Sequence, residues 1–332
     1  LSLQQGKFDI SQLRDQVAVV TGAGNNGIGW GLCRYAAGAL DMHVLIIDLH
    51  ENVVDAAVAR LRQEFPAVTV RGIACDVTEP ESLGAAAAKI SDYFPSKTIG
   101  AVFANAGVIF NKTILRSTAE DWRTTFDVNV MGVLHTMQAF VPLLQAQARE
   151  SIFSATASVG GLVRGDGGAA SYQASKHAVV AMTESLSFEL AAKSPQVRVH
   201  VLCPCIVSSA LGRTSAINDR VKAGDMAPSE VTVASIGTLA DLAQTPDDHA
   251  VQVFDHLAKG NFYMITENKP PYVGHDFPFD AEGIIRERMT GMLNLQLDNA
   301  DAFAAPIGAH PSSILKGPLF TELHRRRKNP GL

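Results

Sequence analysis

Charge is scarce in this chain. Lys, Arg, Asp and Glu make up 18% of 332 residues, and 28 basic against 33 acidic side chains leave a net charge of −5. A protein that grips nucleic acid or an anionic membrane carries a basic field, and this composition lacks one. The one basic run, His324 to Lys328, sits at the C-terminus and reads as a solvated tail. Cysteine is equally sparse. Cys33, Cys75, Cys203 and Cys205 are too few and too scattered for a disulfide framework, which suits a reducing, cytoplasmic setting. Cys203-Pro-Cys205 has no second cysteine or histidine pair at ligand spacing, so buried strand-end thiols are expected there and no metal. No apolar run reaches ~18 residues, the length of a membrane span. Leu1-Ser-Leu-Gln-Gln shows no basic segment leading into an apolar core, so no signal peptide is read there.

Apolar residues, by contrast, make up 47% of the chain, enough for a sizeable core. They fall into two alternating patterns. Short continuous apolar runs at 17–20, 44–47, 69–74, 101–104, 151–154, 197–202 and 262–266 read as strands buried on both faces. Between them lie amphipathic helices over 28–39, 51–65, 80–94, 118–148 with a kink or restart at Pro142, 169–192 and 246–259. Residues 207–245 carry an interrupted helical pattern. This alternation predicts right-handed crossovers and a doubly wound, Rossmann-like parallel α/β sheet of about seven strands, with its ligand crevice at the carboxyl ends of the strands. After Asn268 the character changes to Lys-Pro-Pro-Tyr, one amphipathic helix near 284–295 and a Pro- and Gly-containing tail. The expected division is therefore a catalytic domain over 1–268 and an extension over 269–332 that covers a cleft or a subunit contact.

The chemistry-bearing residues cluster at those strand ends. Gly22-Ala-Gly24-Asn-Asn26-Gly27-Ile28-Gly29 follows the first strand and opens a helix, so its backbone can approach a pyrophosphate that the helix N-terminus also attracts. Asp48 ends the second strand, where a carboxylate accepts ribose hydroxyls and repels a 2′-phosphate. No Arg or Lys follows Asp48 directly or sits in the glycine turn, which favours NAD over NADP. Tyr172 and Lys176 are four apart on a helix and share a face. An ammonium at about 4 Å, with an effective dielectric of ~20, stabilises a phenolate by roughly 4 kcal/mol. At about 1.4 kcal/mol per pH unit this would bring the phenol's pKa down by about three, toward neutrality. Such a tyrosine exchanges protons with an alcohol or carbonyl. Asn129, on a largely buried helix, reads from its surroundings as a backbone contact.

In this order, Thr21-Gly22…Gly27-Ile-Gly29, Asp76-Val77, Asn105-Ala106-Gly107, Asn129, Ser158, Tyr172-x-x-x-Lys176 and Pro204…Val207-x-Ser209 resemble the short-chain dehydrogenase/reductase family over residues 14 to about 267. The resemblance implies Tyr172 as general acid/base, Lys176 on the nicotinamide ribose and depressing the tyrosine's pKa, Ser158 on the substrate oxygen, and Asn129 in a water-linked proton relay. It sets Asp76 and Val77 against the adenine and Asn105 to Gly107 beside the cofactor. Pro204, Cys205, Val207 and Ser209 then lie toward the nicotinamide. Three departures stand out. Four residues, not three, separate Gly22 from Gly27, so the turn must bulge. Ser158 lies 14 residues before Tyr172, one more than usual, which leaves Thr156 as a rival. Cys205 replaces a glycine.

The expected function is an NAD(H)-dependent oxidoreductase interconverting a secondary alcohol and a ketone, as a homodimer or homotetramer pairing through 118–148 and 169–192. Few charges in 207–245 and around Phe277 and Phe279 suggest an apolar or aromatic substrate. Two alternatives stay open: a dehydratase, epimerase or enone reductase on the same fold, and a non-catalytic NAD(H)-binding sensor.

Overall fold

A computed structural model of the protein describes residues 5–162, 168–232 and 243–266. The expected 284–295 helix, Phe277, Phe279, the C-terminal basic run and most of the loop at 164–168 lie outside them. Seven strands form one parallel sheet: β1 (Val17–Thr21), β2 (His43–Asp48), β3 (Val70–Ala74), β4 (Ile99–Ala104), β5 (Ser151–Thr156), β6 (Val197–Pro204) and β7 (Tyr263–Thr266). Their spatial order is β3-β2-β1-β4-β5-β6-β7, with every neighbouring pair parallel. The chain leaves β1 in one direction to build β2 and β3, and resumes on the other side with β4. The crevice at this topological switch point therefore opens at the carboxyl ends of β1 and β4.

The helices cover both faces. They are α1 (Ile28–Ala39), α2 (Glu51–Glu64), α3 (Pro80–Ala88), α4 (Ile90–Tyr93), α5 (Ala119–Phe126), α6 (Gly132–Ala146), α7 (Ala170–Lys193), α8 (Leu211–Lys222) and α9 (Pro246–Lys259). Every residue of β1 and of β4 is buried, which is why these strands read as unbroken apolar runs. On one face, Leu32, Ala36, Phe254 and Leu257 pack beneath α1 and α9 against Val20, Phe103 and Leu202. Each large apolar side chain buried there contributes about 1.5–3 kcal/mol. Tyr35 of α1 stacks on Phe254 of α9 with ring centroids 4.3 Å apart. The two helices meet closely because residue 31 is glycine: a Cβ there would lie 2.2 Å from the Pro246 carbonyl oxygen.

Two expectations are corrected. The 80–94 helix divides at Lys89 into α3 and α4. The 118–148 region does break, but at a π-helical turn over Asp127–Met131, while Pro142 lies inside a continuous α6. A proline removes one hydrogen bond, a loss that α6's buried face of Val133, Met137, Phe140, Val141 and Leu144 offsets. The π turn carries Asn129, and such turns occur often at functional sites.

Two histidines are buried beside the last strand. His200 Nδ1 is 2.9 Å from the Asn261 carbonyl, and His249 Nδ1 is 2.9 Å from Thr266 Oγ1. Burial lowers their pKa values to about 4 and about 3. The unfolded chain protonates both near 6.5, so their neutral-state stability is full above that pH and is lost as the pH falls toward 4 and 3. Unfolding free energy measured by urea titration is expected to drop by on the order of 3 kcal/mol or more between pH 7 and pH 4. Constant stability over that range would contradict the assignment.

Candidate active site

The strand ends are tied together by Thr21 and Asn105. Thr21 Oγ1 accepts hydrogen bonds from the Asn105 and Ala106 amides (2.9 and 3.1 Å). Asn105 Nδ2 donates to the carbonyls of Thr21 and Gly22 (3.1 and 3.2 Å), and its Oδ1 accepts from Thr156 Oγ1 (3.2 Å). One side chain thus joins the ends of β1, β4 and β5 and sets the floor of the cleft. Gly22 turns the chain out of β1 with φ +65°, directly over Ala106.

The glycine turn is tied to the end of β2 at Gly24. The Gly24 amide donates to Asp48 Oδ2 (2.8 Å), and Leu49 N donates to Asp48 Oδ1 (2.8 Å). Gly22, Asn26, Gly27 and Ile28 line the cleft, as do Asp48, Asp76 and Val77. Asn105, Ala106 and Gly107 line it on the β4 side, and Tyr172, Lys176, Pro204 and Ser209 line it as well. Three residues expected on the cofactor stand outside this lining. Gly24 faces Asp48 and Val53, the Cys205 amide bonds to the Thr266 carbonyl (3.1 Å), and Val207 pairs with Gln244 in an isolated parallel bridge. Among the described residues no side-chain hydrogen bond caps α1 at Gly27.

Lys176 and Tyr172 project from the first turns of α7. Lys176 Nζ donates to the Thr156 carbonyl (2.7 Å) and lies 5.4 Å from the centre of the Tyr172 ring. The Ser158 side chain lies near enough to the Tyr172 hydroxyl to favour its ionised form, and its Oγ accepts from the Gly160 amide (3.1 Å). Thr156, the rival to Ser158, spends its hydroxyl on Asn105. Ser158 and Asn129 are not among the lining residues; a Cβ on the lining residue Gly107 would lie 3.2 Å from Asn129 Oδ1 and 3.6 Å from Lys176 Nζ.

The family model for short chain dehydrogenases matches residues 16–219. The chain belongs to the short-chain dehydrogenase family. It is 32% identical over 281 residues to a 1-deoxy-11-beta-hydroxypentalenate dehydrogenase of Streptomyces avermitilis, covering 80% of this chain and 99% of that one. It is also 32% identical, over 60% of this chain and 74% of the other, to a galactitol 2-dehydrogenase (L-tagatose-forming) of Cereibacter sphaeroides. Among solved structures, a short-chain dehydrogenase/reductase from Burkholderia phymatum in complex with NAD matches with a TM-score of 0.62 and 26% identity, covering 90% of this chain and 98% of that one. Family membership makes the protein an oxidoreductase acting on an alcohol or the corresponding carbonyl compound.

Within this short-chain dehydrogenase the electrostatics differ from the expectation drawn from spacing. Burial pushes the Tyr172 phenol above its ordinary value, and the Ser158 side chain pulls it part of the way back. The depression expected from Lys176 is therefore not found: the same burial that surrounds the phenol also lowers Lys176 to about 8. Asn129 makes the backbone contact that its surroundings suggested. Its Nδ2 donates to the Val108 carbonyl and to Ser175 Oγ (both 3.0 Å), and its Oδ1 accepts from the Val108 amide (2.8 Å). A primary amide has two N–H donors, and both are engaged within the protein.

Sequence reasoning missed several residues at the site. Leu49 and Cys75 flank Asp48 and Asp76 in the lining, and Thr214 and Asn218 come from α8. Arg60 of α2 stacks over Trp30 (4.2 Å) and donates to Asn26 Oδ1 (3.2 Å), which sets a cation behind the glycine turn. Asn218 and Arg60 reach the site across 168 and 34 residues through their partners His50 and Asn26, and local periodicity carries no sign of such contacts.

Proposed function

We propose that the protein is an NAD(H)-dependent dehydrogenase/reductase that interconverts a secondary alcohol and a ketone, with Tyr172 as the proton-transfer group. The observation that carries this reading is that Tyr172 and Lys176, with Ser158 beside the Tyr172 hydroxyl, border a cleft that a glycine turn and Asp48 also line. The residues fit a dinucleotide: the open N-terminus of α1 suits a pyrophosphate, and the Asp48 carboxylate suits a ribose diol. Bound there, the nicotinamide supplies the hydride or accepts it. Ser158 orients the substrate oxygen by a hydrogen bond. Tyr172 gives its hydroxyl proton to that oxygen in reduction and takes it back in oxidation. Lys176, held by the Thr156 carbonyl, keeps a positive charge beside the ring. Asn129 holds the loop after β4 through Val108.

NAD is proposed over NADP because Asp48 lines the cleft, whereas Arg60 stands behind the turn. Fluorescence titration is expected to give at least tenfold tighter binding of NADH than of NADPH, and Asp48→Ala is expected to erase most of that preference. Tighter NADPH binding by the unaltered protein would reverse the assignment. A second expectation follows from Lys176. Its charge is present below about pH 8 and lost above, while the raised phenol stays protonated and able to donate. The kcat/KM for ketone reduction should therefore be level from pH 6 to 7.5 and fall as the pH passes through 8. A profile flat to pH 9.5 would remove Lys176 from this role.

The named substrates of the relatives, a hydroxypentalenate and galactitol, differ so widely that family membership leaves the choice to the pocket. Val108, Val128 and Leu211 are among the residues that line it, and Arg213 is exposed, which supports an apolar or aromatic substrate. Met131, Leu143 and Phe188 are exposed apolar residues on the π turn, α6 and α7, which supports pairing through those segments. The four scattered cysteines support a reducing, cytoplasmic setting. Among the described residues no helix is long and apolar enough to cross a membrane.

A further inference from the structure

The segment α5 with its π turn is joined to α7 by two buried polar rungs. In the first, Thr125 Oγ1 and Ser171 Oγ are 3.0 Å apart. Thr125 donates its own proton to the Asp121 carbonyl (2.6 Å), so Ser171 is the donor between them. In the second, Asn129 Nδ2 donates to Ser175 Oγ (3.0 Å), and Ser175 donates onward to the Tyr172 carbonyl (2.7 Å). All four side chains are buried, at 0% exposure for Thr125, Asn129 and Ser175 and 2% for Ser171. The rungs are four residues apart on each side, 125 to 129 and 171 to 175, and Tyr172 lies between them.

This arrangement exceeds what helix packing needs. Apolar residues would fill the same space without the requirement that every hydroxyl be satisfied. A polar rung has a single register: sliding α7 past α5 breaks both at once and leaves buried donors without acceptors, whereas an apolar contact yields gradually. Asn129 extends the second rung to both polar groups of the Val108 backbone, and Val108 lines the cleft. The ladder thus fixes the Tyr172 turn of α7 relative to the wall of the cleft.

We propose that Thr125, Ser171 and Ser175 are positioning residues, which set the register of α7 and thereby the aim of the Tyr172 hydroxyl at the substrate oxygen. This inference rests on the proton-transfer role given to Tyr172 above. Misplacement of a reacting group by about 1 Å costs on the order of 10²-fold in rate, so a loosened rung acts on kcat far more than on cofactor binding.

The test compares Thr125→Val, which keeps the shape and loses the hydroxyl, with Thr125→Ser, which keeps the hydroxyl and loses a methyl. Ser175→Ala tests the second rung, and Tyr172→Phe is the reference. The assay is NADH-dependent reduction of the best ketone, with the NADH dissociation constant measured by fluorescence. Thr125→Val and Ser175→Ala are each expected to lower kcat roughly tenfold or more, with KM and the NADH dissociation constant within about twofold of the parent, and Thr125→Ser to stay near the parent. The inference is overturned if Thr125→Val and Ser175→Ala are folded and turn over like the parent while Tyr172→Phe is inactive. It is also overturned if Thr125→Ser loses as much as Thr125→Val, because packing would then be the cause. An active Tyr172→Phe would instead overturn the catalytic reading beneath it.

Discussion

Tyr172→Phe is expected to lower turnover by about 10³-fold, within the 10²–10⁴ range of a removed general acid, while the fold and NADH affinity are retained. The substitution deletes one hydroxyl and keeps the ring that lies 5.4 Å from Lys176 Nζ. Burial holds the phenol protonated at neutral pH, so in reduction it is a donor already loaded with its proton. Ser158 keeps its bond from the Gly160 amide in the variant and can still hold a carbonyl oxygen, but it has no comparably placed proton to deliver. The loss corresponds to about 4 kcal/mol of transition-state stabilisation, since each tenfold in rate is about 1.4 kcal/mol. Steady-state kinetics with NADH titration in parallel checks both halves. A variant that retains a third or more of the parental kcat would remove Tyr172 from the proton transfer.

Gly22→Ala is expected to damage the fold and the cofactor site together. Gly22 sits at φ +65°, where an alanine is strained by about 1 kcal/mol or more. Its new Cβ would also lie 2.6 Å from Ala106 Cα and 3.0 Å from Ala106 N, both backbone atoms that cannot swing aside. Moving the 105–107 loop away breaks the Ala106 and Asn105 amide bonds to Thr21 Oγ1, and each buried donor left unpaired costs about 1–3 kcal/mol. The sum, on the order of 3 kcal/mol, should lower the thermal midpoint by about 5 °C or more. NADH affinity should fall at least tenfold, because the displaced loop carries three residues of the cleft lining. Thermal unfolding with and without NADH is the check; an unchanged midpoint would mean that the turn has slack.

The sheet was legible because both of its faces are covered. Val17 to Val20 and Val44 to Ile47 are apolar without a break, and the structure extends the first by Thr21 and the second by His43 and Asp48. Tyr172 and Lys176 were legible through helical spacing, and Asp48 through its place at a strand end. The π turn was not, since a single i→i+5 step leaves the apolar pattern of 118–148 almost intact. The sign of the Tyr172 shift was hidden for a different reason. Spacing fixes which charges are neighbours, but how far they are withdrawn from water depends on the packing of distant segments. Asn129 shows the same limit: its polar character marked a backbone contact, while its partners Val108 and Ser175 emerge from the fold.

The central claim is met most directly by following NADH oxidation, with NADPH as control, across a panel of aliphatic and aromatic ketones and small keto acids, using the parent and Tyr172→Phe. The expected result is NADH-dependent turnover of apolar or aromatic ketones that disappears in Tyr172→Phe. A folded protein that binds NADH and reduces none of them, or a parent and variant that reduce them equally well, would contradict it.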